Sequence, residues 1–166
     1  MSRLTDFTRG DAPDTEGRLI SDIWAFSDRE LESVHDFIQW LFPLREPSRF
    51  NADAPLVHTS DIQAFRSDPA LRAALLQSFD VFLAFLGLAR EGEGEGVQVV
   101  PAADYARKKS VFRQANHNWL RITRVLASTR MLGLEHESRA FFAFLETLRD
   151  TVDPISFGYW QRAATG

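Results

Sequence analysis

The sequence predicts an all-α chain, a single compact multi-helix domain of about six or seven helices with no significant sheet. Three observations predict it. Apolar residues recur at helical spacing through much of the chain, as in Leu71, Leu75, Phe79 and Phe82. Helix starts are punctuated: Ser27-Asp28-Arg29-Glu30 has capping-box spacing, and Asp68-Pro69 and Asp153-Pro154 each set an acidic cap before a proline at the first helical position. Extended candidates are scarce. Val97-Gln98-Val99-Val100 is one, and no partner strand is evident for it.

Each element has a local reason. Residues 1–17 carry Gly, Pro, Asp and Thr without periodicity and read as an irregular N-terminal strap. Residues 19–26 predict a short helix. The Ser27 hydroxyl can accept the Glu30 amide while the Glu30 carboxylate returns the bond, which starts a helix with Leu31, Val34, Ile38 and Leu41 on one face. It ends near Pro43, because the residue before a proline is pushed out of helical space. Phe37 and Trp40 project from its other side, so this helix is expected to be buried from several directions. Thr59-Ser60-Asp61 opens a brief helix through Phe65. The helix starting at Pro69 runs to about Leu86, and Gly87 stands where a C-terminal glycine belongs. Residues 90–97 alternate Gly with Glu and read as a flexible acidic loop. Residues 102–112 look helical. The next helix reaches about Leu132 and is closed by Gly133, either continuous from Ala102 or restarted at an Asn116 cap. Residues 135–149 and the segment after Asp153-Pro154, with Phe157 and Trp160, complete the set.

Composition narrows the function classes. A chain of 166 residues buries roughly two thirds of its unfolded surface. Its 14 Phe make the core bulky. The absence of Cys excludes disulfides, thiolate catalysis and thiolate metal sites. No apolar run approaches the roughly 20 residues that span a bilayer. The polar amino terminus lacks the apolar segment of a secretory signal, so a cytoplasmic protein is expected. A net charge of −4 argues against broad nucleic-acid coating.

One segment departs from the acidic average. From residue 105 to residue 134 there is no acid, while Arg107, Lys108, Lys109, Arg113, Arg121, Arg124 and Arg130 are basic. On a helical wheel Phe112, Ala115, Trp119, Ile122 and Leu126 fall on one side, and Gln114, His117, Arg121, Arg124 and Ser128 fall opposite. A cationic ridge is expected there: a solvated face, arginines paired with neighbouring acids, or a site for phosphate, nucleic acid or an acidic peptide. His35 falls within the apolar face of its helix and is expected to be a buried, satisfied imidazole, with a base or ligand as the alternative. Gln39, one turn on, is expected to bond backbone, with the turn at residues 51–55 as a partner. Trp24, Trp40, Trp119 and Trp160 are core candidates, and a subset could line a peptide groove.

Catalytic and metal signatures are not present. His35, His58, His117 and His136 show no i, i+4 spacing and no His-Glu-x-x-His, so no metal site is expected. There is no Gly-x-Ser-x-Gly and no Ser-x-x-Lys, and no cofactor motif. A binding role is favoured over an enzyme. The enzyme alternative uses His35 or His117 with Asp36 or Glu135.

Two blocks carry a family resemblance. The first is His35-Asp36-Phe37-Ile38-Gln39-Trp40-Leu41-Phe42-Pro43-Leu44, followed by Asn51-Ala52-Asp53-Ala54-Pro55-Leu56. The second is Asn116-His117-Asn118-Trp119-Leu120-Arg121-Ile122-Thr123-Arg124-Val125-Leu126, then Leu132-Gly133-Leu134-Glu135. The first resembles the conserved amino-terminal region of the opioid growth factor receptor family, whose signature is a His-x-x-Ile-Gln-Trp-Leu-Phe-Pro run. The resemblance covers most of residues 18–150 and implies a helical domain of that type over residues 18–166, in a short stand-alone homologue. It implies a non-enzymatic interaction role, recognition of a short enkephalin-type peptide, and a growth-regulating receptor role with nuclear association in animals. The candidate ligand contacts within the blocks are His35, Gln39, Trp40, His117, Asn118, Arg121 and Arg124. In that reading His117, Arg121 and Arg124 hold a peptide carboxylate or another small anion, and Trp40 or Trp119 packs an aromatic side chain. The expected partner is a peptide or protein; nucleic acid at residues 105–132 is the second reading.

Overall fold

Helix formation begins earlier than the sequence reading places it. In the computed structural model, which describes residues Met1–Gly166, α1 (Arg3–Arg9) occupies part of the expected irregular strap. Ser2 and Thr5 form a reciprocal capping box, and Gly10 closes the helix at φ 85°. Leu4 and Phe7, one turn apart, are buried. The chain is mostly helical, as expected, with ten α-helices in place of about six or seven; one small two-stranded sheet is present where no significant sheet was expected. The chain divides into two compact units, Met1–Ser78 and Phe79–Gly166.

The first unit holds α1, α2 (Ile20–Trp24), α3 (Asp28–Ser33), α4 (Ile38–Leu41), α5 (Thr59–Ser67) and the start of α6 (Pro69–Phe85). The Ser27 box forms as expected: Glu30 N donates to Ser27 Oγ at 3.1 Å, and Ser27 N donates to Glu30 Oε1 at 3.0 Å. The long helix expected from Ser27 to Pro43 is instead broken after Ser33. Val34 turns extended at φ −88°, ψ 126°, and helix resumes only at Ile38. An ion pair lies at the break. Arg18, anchored on buried Asp14 at 2.7 Å, reaches Asp36 at 2.9 Å. Asn51 Nδ2 also donates to the Asp36 carbonyl at 3.2 Å. Beyond Pro43 the chain makes an excursion closed at its base, where Val57 N donates to Leu44 O at 2.9 Å. The core is Leu4, Phe7, Ile23, Phe37, Trp40, Phe42, Phe65, Leu71 and Leu75.

The second unit opens with the end of α6. Gly87 then takes φ 79°, and a Cβ there would stand 3.0 Å from Tyr105 Cα and from Lys108 Cβ. Strand β1 (Leu88–Glu91) pairs antiparallel with β2 (Gln98–Pro101) in the register Leu88 to Pro101, so the orphan strand has a partner just upstream. The acidic segment is the connection of this hairpin and includes a 3₁₀ turn at Gly94–Gly96. Only α7 (Tyr105–Lys108) and a 3₁₀ turn at Lys109–Phe112 form in the next stretch. Helix α8 (His117–Met131) restarts at the Asn116 cap, which settles the alternative between continuity and restart. α9 (Glu135–Glu146) and α10 (Pro154–Thr165) follow, the latter capped by Asp153 accepting Ser156 N at 2.9 Å. α8 packs on α9 and α10, and α9 packs on β2. Trp119 and Trp160 stack edge-on with ring centres 5.6 Å apart, and the Trp160 indole donates to Trp119 O at 3.1 Å.

Two changes test these seams. Trp160→Ala should cost about 3–5 kcal/mol of stability in urea denaturation, because it empties a core position and removes the indole bond to the Trp119 carbonyl. Gly87→Ala should cost about 1–3 kcal/mol, because the left-handed backbone and the close approach to Tyr105 and Lys108 both oppose a Cβ.

Candidate functional site

The seven candidates fall four to the second unit and three to the first, and few keep the roles assigned from a helical wheel. His35 lies in the break between α3 and α4 and is exposed, not buried in an apolar face. Its carbonyl accepts from Gln39 Nε2 at 3.3 Å. Gln39 is buried, and its amide also meets Ser48 Oγ at 3.4 Å; Asn51, not Gln39, ties the following turn back to this segment. Trp40 is 1% exposed, with Phe7 at 5.0 Å between ring centres and the Arg3 guanidinium at 5.3 Å over its ring.

On α8, the expected cationic ridge is partly interior. Arg121 is 6% exposed and its Nη1 lies 3.3 Å from Oδ1 of buried Asn118. Asn118, Arg121, Val125 and Ser128 form one buried stripe, and Trp119, Ile122, Leu126 and Thr129 form another. The expected apolar side, Trp119, Ile122 and Leu126, is buried, but α8 packs on both α9 and α10, so part of the opposite side is buried too. Arg124 is half-buried and His117 is exposed. The surface cations of this stretch lie upstream: Arg107, Lys109 and Arg113 are exposed, and Lys108 is held by Asp104 at 2.9 Å. That pairing, first with Lys108, lowers the Asp104 carboxyl below the usual carboxylate range.

The four tryptophans differ in one respect. Trp24 donates its indole N–H to Ser78 Oγ at 2.9 Å, Trp119 to Val111 O at 2.8 Å, and Trp160 to Trp119 O at 3.1 Å. Trp40 Nε1 is buried and meets no acceptor, and the neighbouring Gln39 Oε1 is buried and meets no donor. Both stand in the signature run.

A groove of about 410 Å³ opens on the first unit. Ile20, Ser21 and Trp24 of α2 and Ala70 and Ala74 of α6 line it, and Thr8, Arg9, Gly10 and Asp11 form its α1 side. Arg9 bridges to Asp68, the residue before α6, at 2.7 Å. The Arg9 hydrogen bond, with the Ala70 amide next, holds the Asp68 carboxyl below its ordinary range. Sequence reasoning missed this groove because three segments build it and one was read as unstructured. The usable signal was Ser2-x-x-Thr5 with Leu4 and Phe7 one turn apart. No three His, Asp or Glu side chains come together as metal ligands. No helix is long and apolar enough to cross a membrane.

The description "Opioid growth factor receptor (OGFr) conserved region" matches residues 15–154. This chain belongs to that family. It is 38% identical over 137 residues to the opioid growth factor receptor of Rattus norvegicus, covering 80% of this chain and 23% of that protein. It is 37% identical over 123 residues to the Homo sapiens receptor, covering 72% and 18%. Opioid growth factor receptor-like protein 1 of Mus musculus is 32% identical over 112 residues, covering 68% and 24%. The chain thus spans less than a quarter of the length of these relatives. No solved structure matches it. The match includes α2 to α9, the signature run and both orphan atoms, whereas α1 lies before it and all but the first residue of α10 lies after it.

Two measurements check the site chemistry. Arg121→Ala should lower stability by about 1–3 kcal/mol, since it removes a buried hydrogen bond to the Asn118 oxygen and the packing of a buried side chain, whereas a purely ligand-contacting arginine would leave the urea midpoint unchanged. Asp68 has a lowered folded pKa, so its contribution is present above the unfolded carboxylate pKa and is lost as pH falls through the folded value. Arg9→Gln should raise the Asp68 titration toward the ordinary range in carboxyl-carbon NMR.

Proposed function

We propose that this chain is a helical recognition domain that takes a short peptide in the groove between α1, α2 and α6. The groove carries the reading: its apolar wall of Ile20, Trp24, Ala70 and Ala74 faces a charged rim of Arg9 and Asp11. Its size falls in the range of about 300–1,000 Å³ typical of ligand sites. An apolar wall gives a peptide side chain a place to leave water, and a rim with both charge signs can pair with peptide termini. The relatives named as growth factor receptors support a recognition role.

The test is a calorimetric titration of the full chain and of Ala74→Arg with an enkephalin-type pentapeptide. Saturable binding to the parent, weakened at least about tenfold in Ala74→Arg with unchanged circular dichroism, is expected. Equal affinity in the two proteins, or no saturable binding to the parent, removes the groove from the proposal.

A second reading places an acidic partner on the exposed cations Arg107, Lys109 and Arg113 with His117 and Arg124, and it is favoured by their position in a stretch without acids. A poly-glutamate peptide is the probe. Its binding should weaken steeply with salt and in Lys109→Glu/Arg113→Glu, and salt-independent binding would count against this reading.

A further inference from the structure

The orphan indole of Trp40 points to a second surface. Trp40 is buried because α1 lies over it: Phe7 packs on its ring at 5.0 Å and Arg3 stacks at 5.3 Å, from positions one helical turn apart. Yet α1 does not satisfy the indole beneath it. Trp40 Nε1 is buried and lacks an acceptor. A buried polar group without a partner costs stability and calls for a cause. The other three indoles of the chain are all paired.

α1 is seated by four buried side chains, Leu4, Thr5, Phe7 and Thr8, and by polar contacts toward its two ends. Ser2 Oγ donates to Asp61 Oδ1 at 2.5 Å, and Arg9 bridges to Asp68 at 2.7 Å with both side chains partly exposed. Seven residues make a helix too short to stand alone in water, so α1 is ordered by docking. Its far end also borders the open groove through Thr8, Arg9 and Gly10.

We propose that the Trp40 face is a docking surface for a short helical segment bearing a cation and an aromatic one turn apart, and that α1 is its resident occupant. The seated segment shows the chemistry that fits: a tilted aromatic ring and a guanidinium on the indole. The orphan indole shows what a better occupant adds, an acceptor for its N–H, which a main-chain carbonyl or a carboxamide side chain supplies. An occupant of that kind displaces α1 and completes the hydrogen bonding that α1 leaves open. The inference rests on the peptide-recognition reading but uses a different surface from the groove.

The probe is a synthetic peptide of residues 1–12, and the readout is the Trp40 indole N–H signal in nitrogen–proton NMR, assigned with Trp40→Phe. In the full-length Phe7→Ala chain, whose own α1 is weakened, the peptide should move that signal saturably and bind at least about tenfold more tightly than to the parent, where α1 competes in cis. The same peptide with Arg3 and Phe7 both replaced by Ala should not bind. Absence of saturable binding to a folded Phe7→Ala chain, or binding that leaves the Trp40 signal in place, overturns the proposal. Native-state hydrogen exchange on the unmodified chain gives an independent check should Phe7→Ala fail to fold. The α1 amides and the Trp40 indole should exchange together, at least about tenfold faster than the amides of residues 71–75. Exchange of α1 only with those core amides would show that it never leaves, and would overturn the proposal. Ala74→Arg separates this surface from the groove: peptide 1–12 should still move the Trp40 signal in the Phe7→Ala/Ala74→Arg chain even where pentapeptide binding is lost.

Discussion

Burying an indole means finding an acceptor for its N–H, and this constraint organises the fold. Tryptophan brings more apolar area to a core than other side chains, but its one polar hydrogen must be placed. The Trp24 bond to Ser78 joins α2 to α6, residues far apart in sequence. Trp119 uses the Val111 carbonyl left free where the 3₁₀ turn ends before α8. Its own carbonyl then receives Trp160, so α8 is tied both backward along the chain and outward to α10. Phe157 and Phe142 extend that seam into α9. A core so tied has little freedom to slide, because displacing any of these rings strands a donor.

The same rule explains why the middle of the first unit is not one long helix. A carboxylate as buried as Asp14 requires full pairing, and it receives the amides of Glu16 and Arg18 and the Arg18 guanidinium. Arg18 has donors to spare and takes Asp36 as well. Asp36 is thereby fixed by a partner well upstream, and the chain leaves helical geometry around it. Apolar periodicity from Leu31 to Leu41 is real in both pieces, which is why it suggested continuity. What it could not carry was the tertiary pair at the centre.

That contrast describes what was legible. Caps are local chemistry, so Ser27, Asp68, Asn116 and Asp153 all start helices where the residues say they do. Gly87 was legible for the same reason. The hairpin was half legible: Val97 to Val100 has β-branched character, but Leu88-Ala89-Arg90-Glu91 has no alternation and becomes a strand through its partner. The candidate site was least legible. Arg121 is a cation by sequence and an interior group by structure, because α8 is covered by α9 and α10 on more than one face, which a single-helix wheel does not carry. His35 was assigned to a face that the break removes. The groove draws on α1, α2 and α6, and no single window of sequence contains it.

The matched region and its flanks divide the work in a consistent way. In the first unit the signature Trp40 is covered by Phe7 and Arg3 from α1, ahead of the match. In the second unit Trp119, in the other signature block, is covered by Trp160 from α10, whose ring lies beyond the match. In both places the region shared with the relatives contributes a large aromatic that is stable only when something lies over it, and a flanking helix does so here. The two covers differ in quality. Trp160 brings a ring and a donor that meets a carbonyl, leaving nothing unpaired. Phe7 and Arg3 bring contact to Trp40 but no acceptor for its N–H. By the energetics of buried polar groups, the first cover is a completed part of the core, and the second leaves a buried donor unpaired.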